Sequence, residues 1–87
     1  MEFEALATKI PAKQTLTRGV DPGRSLHIDV ESGTAEFTLH KFRDYPMLGV
    51  TKILKIGALI VINAGYIVTI HNPDDNDLII SEKLSLG

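Results

Sequence analysis

The clearest pattern along the chain is an alternation of hydrophobic and polar residues in the stretch SLHIDVESGTAEFTL, residues 25–39. A period of two residues is typical of a strand that buries one face. The alternation stops at Ser32-Gly33 and then resumes, so we predict a β-hairpin with its turn there. In the register of a two-residue loop all the apolar side chains share one face, which we predict to be the core: Leu26, Ile28, Val30, Ala35, Phe37 and Leu39.

The other face of this predicted hairpin is polar and carries His27, Asp29, Glu31, Glu36, Thr38 and His40. In the predicted register Asp29 lies opposite Glu36. Like charges directly across a strand pair are unfavourable. We therefore expect this face to be exposed to solvent.

The stretch ALIVINAGYIVTI, residues 58–70, is almost wholly apolar. It is shorter than the ~18–20 residues of a membrane-spanning helix, and its many β-branched residues favour a strand over a helix. Asn63 and Gly65 tolerate a positive φ, so the chain either forms two strands or bends sharply within one long strand at this point. We predict two strands in a second hairpin with its loop at Ala64-Gly65.

Both faces of this second ribbon are apolar, so it needs cover on both sides. A domain of 87 residues readily covers only one of them. We therefore predict that one face contacts another subunit, in a homo-oligomer or a larger protein assembly. The contact face is either Ile60, Ile62 and Ile67 or else Leu59, Val61, Val68 and Ile70, and the candidate interface residues as a set are Leu59, Ile60, Val61, Ile62, Tyr66, Ile67, Val68 and Ile70.

The remaining segments are short and are separated by turn residues. Residues 3–9 fit either a short helix or a first strand, of which we favour the strand. We predict further strands at residues 14–18 and at LIISEKLSL, with a polar turn at HNPDDND and a loop or single helical turn in RDYPMLGVTK. Short strands at this spacing indicate an all-β fold, a small antiparallel β-sandwich or barrel. We predict one β domain spanning residues 1–87.

Composition mainly excludes classes of protein. The formal net charge is −2, so we expect no bulk attraction to nucleic acid or to an anionic membrane. The chain has no cysteine, which excludes disulfides and thiolate metal sites. The N-terminal stretch MEFEALATKI has no basic region before an apolar run. We therefore expect no signal peptide, no membrane partner, and a cytoplasmic or particle-associated protein.

The candidate chemical groups match no defined site. His27 and His40 lie on the same predicted face and could share a metal ion with Asp29, but two exposed histidines are more often simply solvated. The acidic turn PDDND lacks the glycine and the distal glutamate of an EF-hand. The sequence contains no nucleophile motif and no phosphate-binding motif. We predict no catalytic, cofactor-binding or metal-binding residue, and a protein that is not an enzyme.

The pattern DVESGTAEFTL, followed by LKIGALIVINAGYIV and LIISEKL, resembles strands 2 to 5 of an OB-fold. Such folds often bind single-stranded nucleic acid through a basic groove and stacking aromatic residues. The resemblance implies these candidate contacts: Arg18, Arg24, Lys41, Phe42, Arg43, Tyr45, Lys52 and Lys55. The expected binding face carries Asp29, Glu31 and Glu36, which disfavours phosphate binding. An OB-fold module that binds a protein partner is compatible with these charges.

The run QTLTRGVDPGRSLHIDVESGTAEFTL, a Gly-led strand pair and YIVTIHNPDDNDLIIS are also similar to small β-sandwich proteins of phage particles, the decoration and tail-associated subunits. That resemblance implies a structural role and identifies no functional residue. The apolar ribbon and the acidic polar face agree with a subunit that completes its core against neighbours. We predict a non-enzymatic structural or assembly subunit that self-associates, with the OB-fold module as the alternative.

Overall fold

A computed structural model describes residues 6–41 and 50–86 of the chain. These residues form eight strands: β1 (Leu6–Ile10), β2 (Thr15–Gly19), β3 (Arg24–Ser32), β4 (Thr34–Lys41), β5 (Val50–Lys55), β6 (Leu59–Asn63), β7 (Tyr66–His71) and β8 (Leu78–Leu86). Within these two ranges there is no helix, and hence none that could cross a membrane. The predicted all-β class is confirmed.

The strands form two four-stranded sheets. Sheet A has the order β1-β8-β3-β6, and sheet B has the order β2-β7-β4-β5. Every neighbouring pair is antiparallel. Among the described strands, β4 and β5 are the one pair that is consecutive in the chain and also hydrogen-bonded; every other connection passes from one sheet to the other. This order is that of a jelly roll, which confirms the predicted antiparallel β-sandwich.

The turn at Ser32-Gly33 lies between two strands as predicted, but those strands do not pair with each other. β3 pairs with β6 and β8 in sheet A, whereas β4 pairs with β5 and β7 in sheet B. Gly33 alone separates β3 from β4, and the tightest common hairpin loop needs two residues. With a φ of 96°, Gly33 adopts a left-handed backbone that glycine accepts without strain. The predicted pairing is wrong, because the chain crosses between the sheets at this residue.

The predicted hairpin at Ala64-Gly65 is corrected in the same way. The turn exists, and Gly65 has a φ of 88°. However, β6 pairs with β3 in sheet A, and β7 pairs with β2 and β4 in sheet B. The two arms of the predicted apolar ribbon therefore belong to opposite sheets. Each arm has one face toward the interior and one toward the outside, so most of the ribbon is covered by the chain itself.

The predicted core face is confirmed although the predicted pairing is not. Its six residues are buried or, for Leu39, half-buried against the same hydrophobic cluster. Alternate side chains point to one interior whether the two arms share a sheet or lie in two facing sheets. Alternation therefore predicts the buried face in either arrangement. The remaining buried hydrophobic residues are Ile10, Val20, Ile62, Val68, Ile70, Leu78 and Ile80.

The polar face predicted for residues 27–40 is divided between two surfaces. Asp29 belongs to sheet A and Glu36 to sheet B, so the like-charge pair predicted between them does not form. His27 and His40 lie on the outer faces of opposite sheets for the same reason, and they are not placed to share a metal ion.

The shorter elements match the sequence predictions unevenly. The strands predicted at residues 14–18 and at LIISEKLSL are confirmed as β2 and β8. The strand favoured at residues 3–9 is confirmed from Leu6 onward as β1, and its residues 3–5 lie outside the described residues. Strand β5 begins at Val50, inside the segment predicted as a loop or a helical turn. Its β-branched Val50, Thr51 and Ile53 favour an extended backbone. The rest of that predicted loop, residues 43–49, lies outside the described residues.

Candidate functional site

An ion pair lies inside the sandwich and joins the two sheets. Arg18 of β2 and Glu82 of β8 both occupy inward-facing positions, beside Val68 and Ile28 respectively. Arg18 Nε donates a hydrogen bond to Glu82 Oε1 at 2.9 Å, and Arg18 Nη2 donates one to Glu82 Oε2 at 3.3 Å. Thr8 Oγ1 donates a third hydrogen bond, to Glu82 Oε2, at 2.9 Å.

The two partners of this pair differ in burial. The side chain of Glu82 is 12% exposed, and that of Arg18 is 38% exposed. Because the carboxylate has lost most of its water, the three hydrogen bonds replace its solvation. The partners are 64 residues apart in the sequence, so no local pattern predicts the pair, and the sequence analysis missed it.

A cavity of about 410 Å³ lies beside the ion pair. Its lining residues are Leu6, Arg18, Gly19, Leu26, Glu82, Lys83 and Leu84. Leucine side chains form much of the wall, and the ion pair supplies the charged groups. A largely apolar cavity of ~300–1,000 Å³ with a few convergent polar groups has the general properties of a small-molecule site.

Asn72, which is fully buried after the end of β7, fixes the connection between β1 and β2. Its Nδ2 donates to the carbonyl oxygens of Ile10 at 3.0 Å and Asn76 at 2.7 Å, and its Oδ1 accepts from the amide of Asp74 at 3.0 Å. Its own amide donates to the carbonyl oxygen of Gln14 at 3.0 Å. One residue therefore joins the end of β1, the start of β2 and the loop of residues 72–77.

The sequence pattern of this loop predicts an exposed acidic turn and does not predict the role of Asn72. The acidic residues face two lysines: Lys9 Nζ is 3.9 Å from Asp77 Oδ2, and Lys13 Nζ is 3.6 Å from Asp75 Oδ1. Within the described ranges no three His, Asp or Glu residues are grouped as metal ligands. An asparagine that accepts from the amide two residues later forms an Asx turn, and the Asn-Pro dipeptide is the sequence signal that indicates such a turn.

The other lateral edge of the sandwich is apolar. β5 is the edge strand of sheet B and β6 is the edge strand of sheet A, and residues 56–58 connect them. Five large apolar side chains on these strands and their connection are 47–67% exposed. They are Val50, Ile53, Ile56, Leu59 and Val61, and together we name them the apolar edge.

The eight residues predicted as an interface are not brought onto one surface. Leu59 and Val61 point outward from sheet A and are exposed. The others are buried (Ile62, Val68 and Ile70) or half-buried (Ile60, Tyr66 and Ile67). The interior of the sandwich, rather than a second subunit, therefore covers most of this set.

The candidate nucleic-acid contacts are dispersed as well. Arg18 is bound to Glu82 in the interior. The remaining described residues of this set lie on three strands in both sheets: Arg24 on β3, Lys41 on β4, and Lys52 and Lys55 on β5. The other three candidates, Phe42, Arg43 and Tyr45, lie outside the described residues.

No protein-family model and no curated protein matches the sequence. The cupin domain of Drosophila melanogaster CENP-C matches with a TM-score of 0.79 at 17% identity, over 93% of this chain and 56% of that chain. Drosophila CENP-C bound to CAL1 matches with a TM-score of 0.81 at 17% identity, over 93% of this chain and 60% of that chain. A predicted oxalate decarboxylase from Thermotoga maritima matches with a TM-score of 0.78 at 17% identity, over 95% of this chain and 65% of that chain.

The chain thus spans less than two thirds of the length of each of these proteins. At such identities the similarity establishes the fold. The expected resemblance to phage decoration and tail-associated proteins is wrong, because the matching structures are cupin and double-stranded β-helix domains. The OB-fold resemblance is wrong too, since that fold is a five-stranded barrel and this chain forms two four-stranded sheets. The chain has the fold of the cupin domains.

Proposed function

We propose that this domain is a non-enzymatic protein-binding module that self-associates through its apolar edge. The observation that carries the proposal is the exposure of five large aliphatic side chains on two adjacent edge strands and their connection. Full burial of one such side chain contributes about 1.5–3 kcal/mol. A contact that covers Leu59 and Val61, which share the outer face of sheet A, therefore offsets part of the entropy lost on association.

Two further observations support the proposal. Apolar side chains fill the interior, and the buried carboxylate of Glu82 is bound by Arg18. Among proteins with this fold, Drosophila CENP-C has been solved bound to CAL1. The same fold is therefore found in a complex between two proteins.

Sedimentation equilibrium of the wild-type chain and of Leu59→Lys tests the proposal. We expect the wild type to exceed the mass of one chain at high concentration. Leu59→Lys should remain folded with the mass of one chain, because the contact would bury an unpaired ammonium group. A wild-type chain that keeps the mass of a single chain at every concentration contradicts the proposal.

Leu86→Lys is the matched control for this experiment. Leu86 is 57% exposed and Leu59 is 55% exposed, so the same substitution meets a similar environment. Leu86 lies outside the apolar edge, and its variant should associate as the wild type does. A loss of association in both variants would mean that added charge, rather than the apolar edge, determines the mass.

The cavity beside Arg18 favours a second candidate function, the binding of a small organic acid with an apolar body. Two of the five N–H donors of Arg18 bind Glu82, which leaves donors for a ligand carboxylate. The leucine walls would cover an alkyl chain. Calorimetry with octanoate should give binding that Arg18→Met weakens, and octanol should bind less tightly. Equal affinity for octanoate and octanol, or no binding of octanoate, contradicts this function.

A further inference from the structure

The four edge strands of the sandwich differ in charge. Three of them contain a lysine or an arginine: Lys9 in β1, Arg18 in β2, and Lys52 and Lys55 in β5. The fourth, β6, has the sequence LIVIN and contains neither a charged residue nor a proline. Charged residues and proline on an edge strand commonly prevent pairing with another chain. Of the four edges, β6 is therefore the one without this protection.

Strand β6 also has an unused side. Among the described strands it is hydrogen-bonded to β3 alone. In an antiparallel ladder, alternate residues direct their N–H and C=O groups away from the partner strand. The outer side of β6 thus presents a row of backbone donors and acceptors, next to the exposed side chains of Leu59 and Val61.

We propose that β6 pairs antiparallel with β6 of a second copy of this chain, so that two copies of sheet A form one continuous sheet. This inference rests on the proposed function, since it names the partner and the strand that make the contact. It also requires a particular register. A two-fold axis relates the two copies in such a dimer. Residues directly opposite each other in a sheet point to the same face. The outward residues of one β6 strand (Leu59, Val61 and Asn63) must therefore lie opposite outward residues of the other.

The register centred on Val61 is the one that pairs all five residues of β6. Val61 then lies opposite Val61 of the second copy, Ile60 lies opposite Ile62, and Leu59 lies opposite Asn63. The three central pairs are aliphatic, and no charged group enters the ladder. The half-buried Ile60 gains an apolar neighbour that extends the core from one copy to the next.

A second copy is favoured because β6 is complementary to itself, whereas the neighbouring edge strand is not. Pairing β5 with β5 would place Lys52 and Lys55 of both copies in one ladder, and like charges at that spacing oppose pairing. Self-association through β6 therefore uses the edge strand that carries no charged residue, and it leaves Lys52 and Lys55 of β5 in solvent.

Single cysteines test the register, because the wild-type chain contains none. In a Val61→Cys dimer the two introduced residues lie opposite each other with Cα atoms about 4.5–5.5 Å apart, within the ~4.4–6.8 Å range of disulfides. In Leu59→Cys the two introduced residues are offset by four positions, roughly 13 Å. Under mild oxidation Val61→Cys should convert to a covalent dimer, and Leu59→Cys should remain largely monomeric. The double variant Leu59→Cys/Asn63→Cys should form the covalent dimer again.

The outcomes separate this inference from the proposed function. If the wild type associates and Leu59→Lys is monomeric, but Val61→Cys forms a covalent dimer no faster than Leu59→Cys, the apolar edge is the contact and the pairing of β6 with β6 is overturned. If the wild type does not associate, both the proposed function and this inference fail. Preferential cross-linking through Val61, and through Leu59 with Asn63, supports the pairing and its register.

Discussion

The two lateral edges of this sandwich are built from different chemistry. At the β1–β2 edge, Asn72 bonds to the backbone of Ile10 and Gln14, and Arg18 is held by Glu82. At the β5–β6 edge, five aliphatic side chains are exposed on the edge strands of the two sheets and on the connection between them. At the first edge the chain satisfies buried polar groups with its own side chains, and at the second it leaves five aliphatic side chains exposed.

Because of this difference, one edge contributes to the free energy of folding and the other to the free energy of association. Hydrogen bonds at the β1–β2 edge satisfy polar groups that are already buried, so they stabilise the single chain. Aliphatic groups at the β5–β6 edge are still hydrated, so their burial is available for association. Substitutions in the core, at the first edge and on its surface should therefore have graded effects on the free energy of unfolding.

The largest effect on the free energy of unfolding is expected at Phe37, which lies in the hydrophobic core between the two lateral edges. Phe37 is 1% exposed, and Phe37→Ala removes a large buried ring. We expect the free energy of unfolding to fall by about 3–5 kcal/mol in urea denaturation. Phe37→Leu keeps more of the apolar volume and should lose less. A loss below about 1 kcal/mol for Phe37→Ala, far under the range for large-to-small core changes, would contradict the packing.

The next largest effect tests whether Asn72 closes the β1–β2 edge. Asn72→Ala leaves the carbonyl of Ile10 and the amide of Asp74 without their partner. We expect a loss of about 1–3 kcal/mol, the cost of leaving buried polar groups unsatisfied. Asn76→Ala is the matched control, since Asn76 is exposed and contributes only its backbone carbonyl to Asn72. Equal losses in the two variants would show that Asn72 has no special part in closing the edge.

A smaller effect is expected from the ion pair at the same edge. Arg18→Met leaves the Glu82 carboxylate buried with Thr8 as its remaining partner. Because Arg18 is 38% exposed, we expect a loss of about 1–2 kcal/mol rather than the ~3–5 kcal/mol of a fully buried pair. The double variant Arg18→Met/Glu82→Leu should recover most of that loss. Additive losses in denaturant melts would argue against a direct pair.

The smallest effect is expected at the surface of the β1–β2 edge. The side chains of Lys13 and Asp75 are 59% and 92% exposed, so water and salt screen their attraction. Asp75→Asn should change the free energy of unfolding by less than about 0.5 kcal/mol. Thermal melts at low and at high salt provide the measurement. A salt-dependent loss larger than this would mean that the acidic loop is held by charge as well as by Asn72.

The buried faces of this fold can be predicted from the sequence, but the pairing of its strands cannot. Alternation around Gly33 identifies the inward residues, because side-chain direction depends on the position along a single strand. The pairing of a strand depends instead on which other strand lies beside it in the sheet. The partners of β3 are β6 and β8, which are distant in sequence, and the residue pattern around Gly33 is the same for a hairpin and for a crossing between sheets.

The residues of the candidate site likewise divide into those that the sequence predicts and those that only the tertiary fold brings together. Leu59 and Val61 were in the predicted interface set, because an apolar run that exceeds what a small domain can cover is visible in the sequence. The Arg18–Glu82 pair depends on strands β2 and β8 meeting across the interior, which only the tertiary fold determines. Asn72 lies between these cases, since its Asx turn has a local signal whereas its bonds to Ile10 and Gln14 do not.

The position of β8 in sheet A has a consequence for how the chain folds during synthesis. Of the eight described strands β8 comes last along the chain, yet it lies between β1 and β3 in sheet A. Until it leaves the ribosome, β1 has no neighbour and β3 lacks one of its two partners. The complete pairing of sheet A therefore requires Leu78–Leu86 to have been synthesised, and such non-local pairing is intrinsically slow. During that interval the side of β3 that pairs with β8 in the folded sheet lacks this partner, and its backbone hydrogen-bonding groups are exposed.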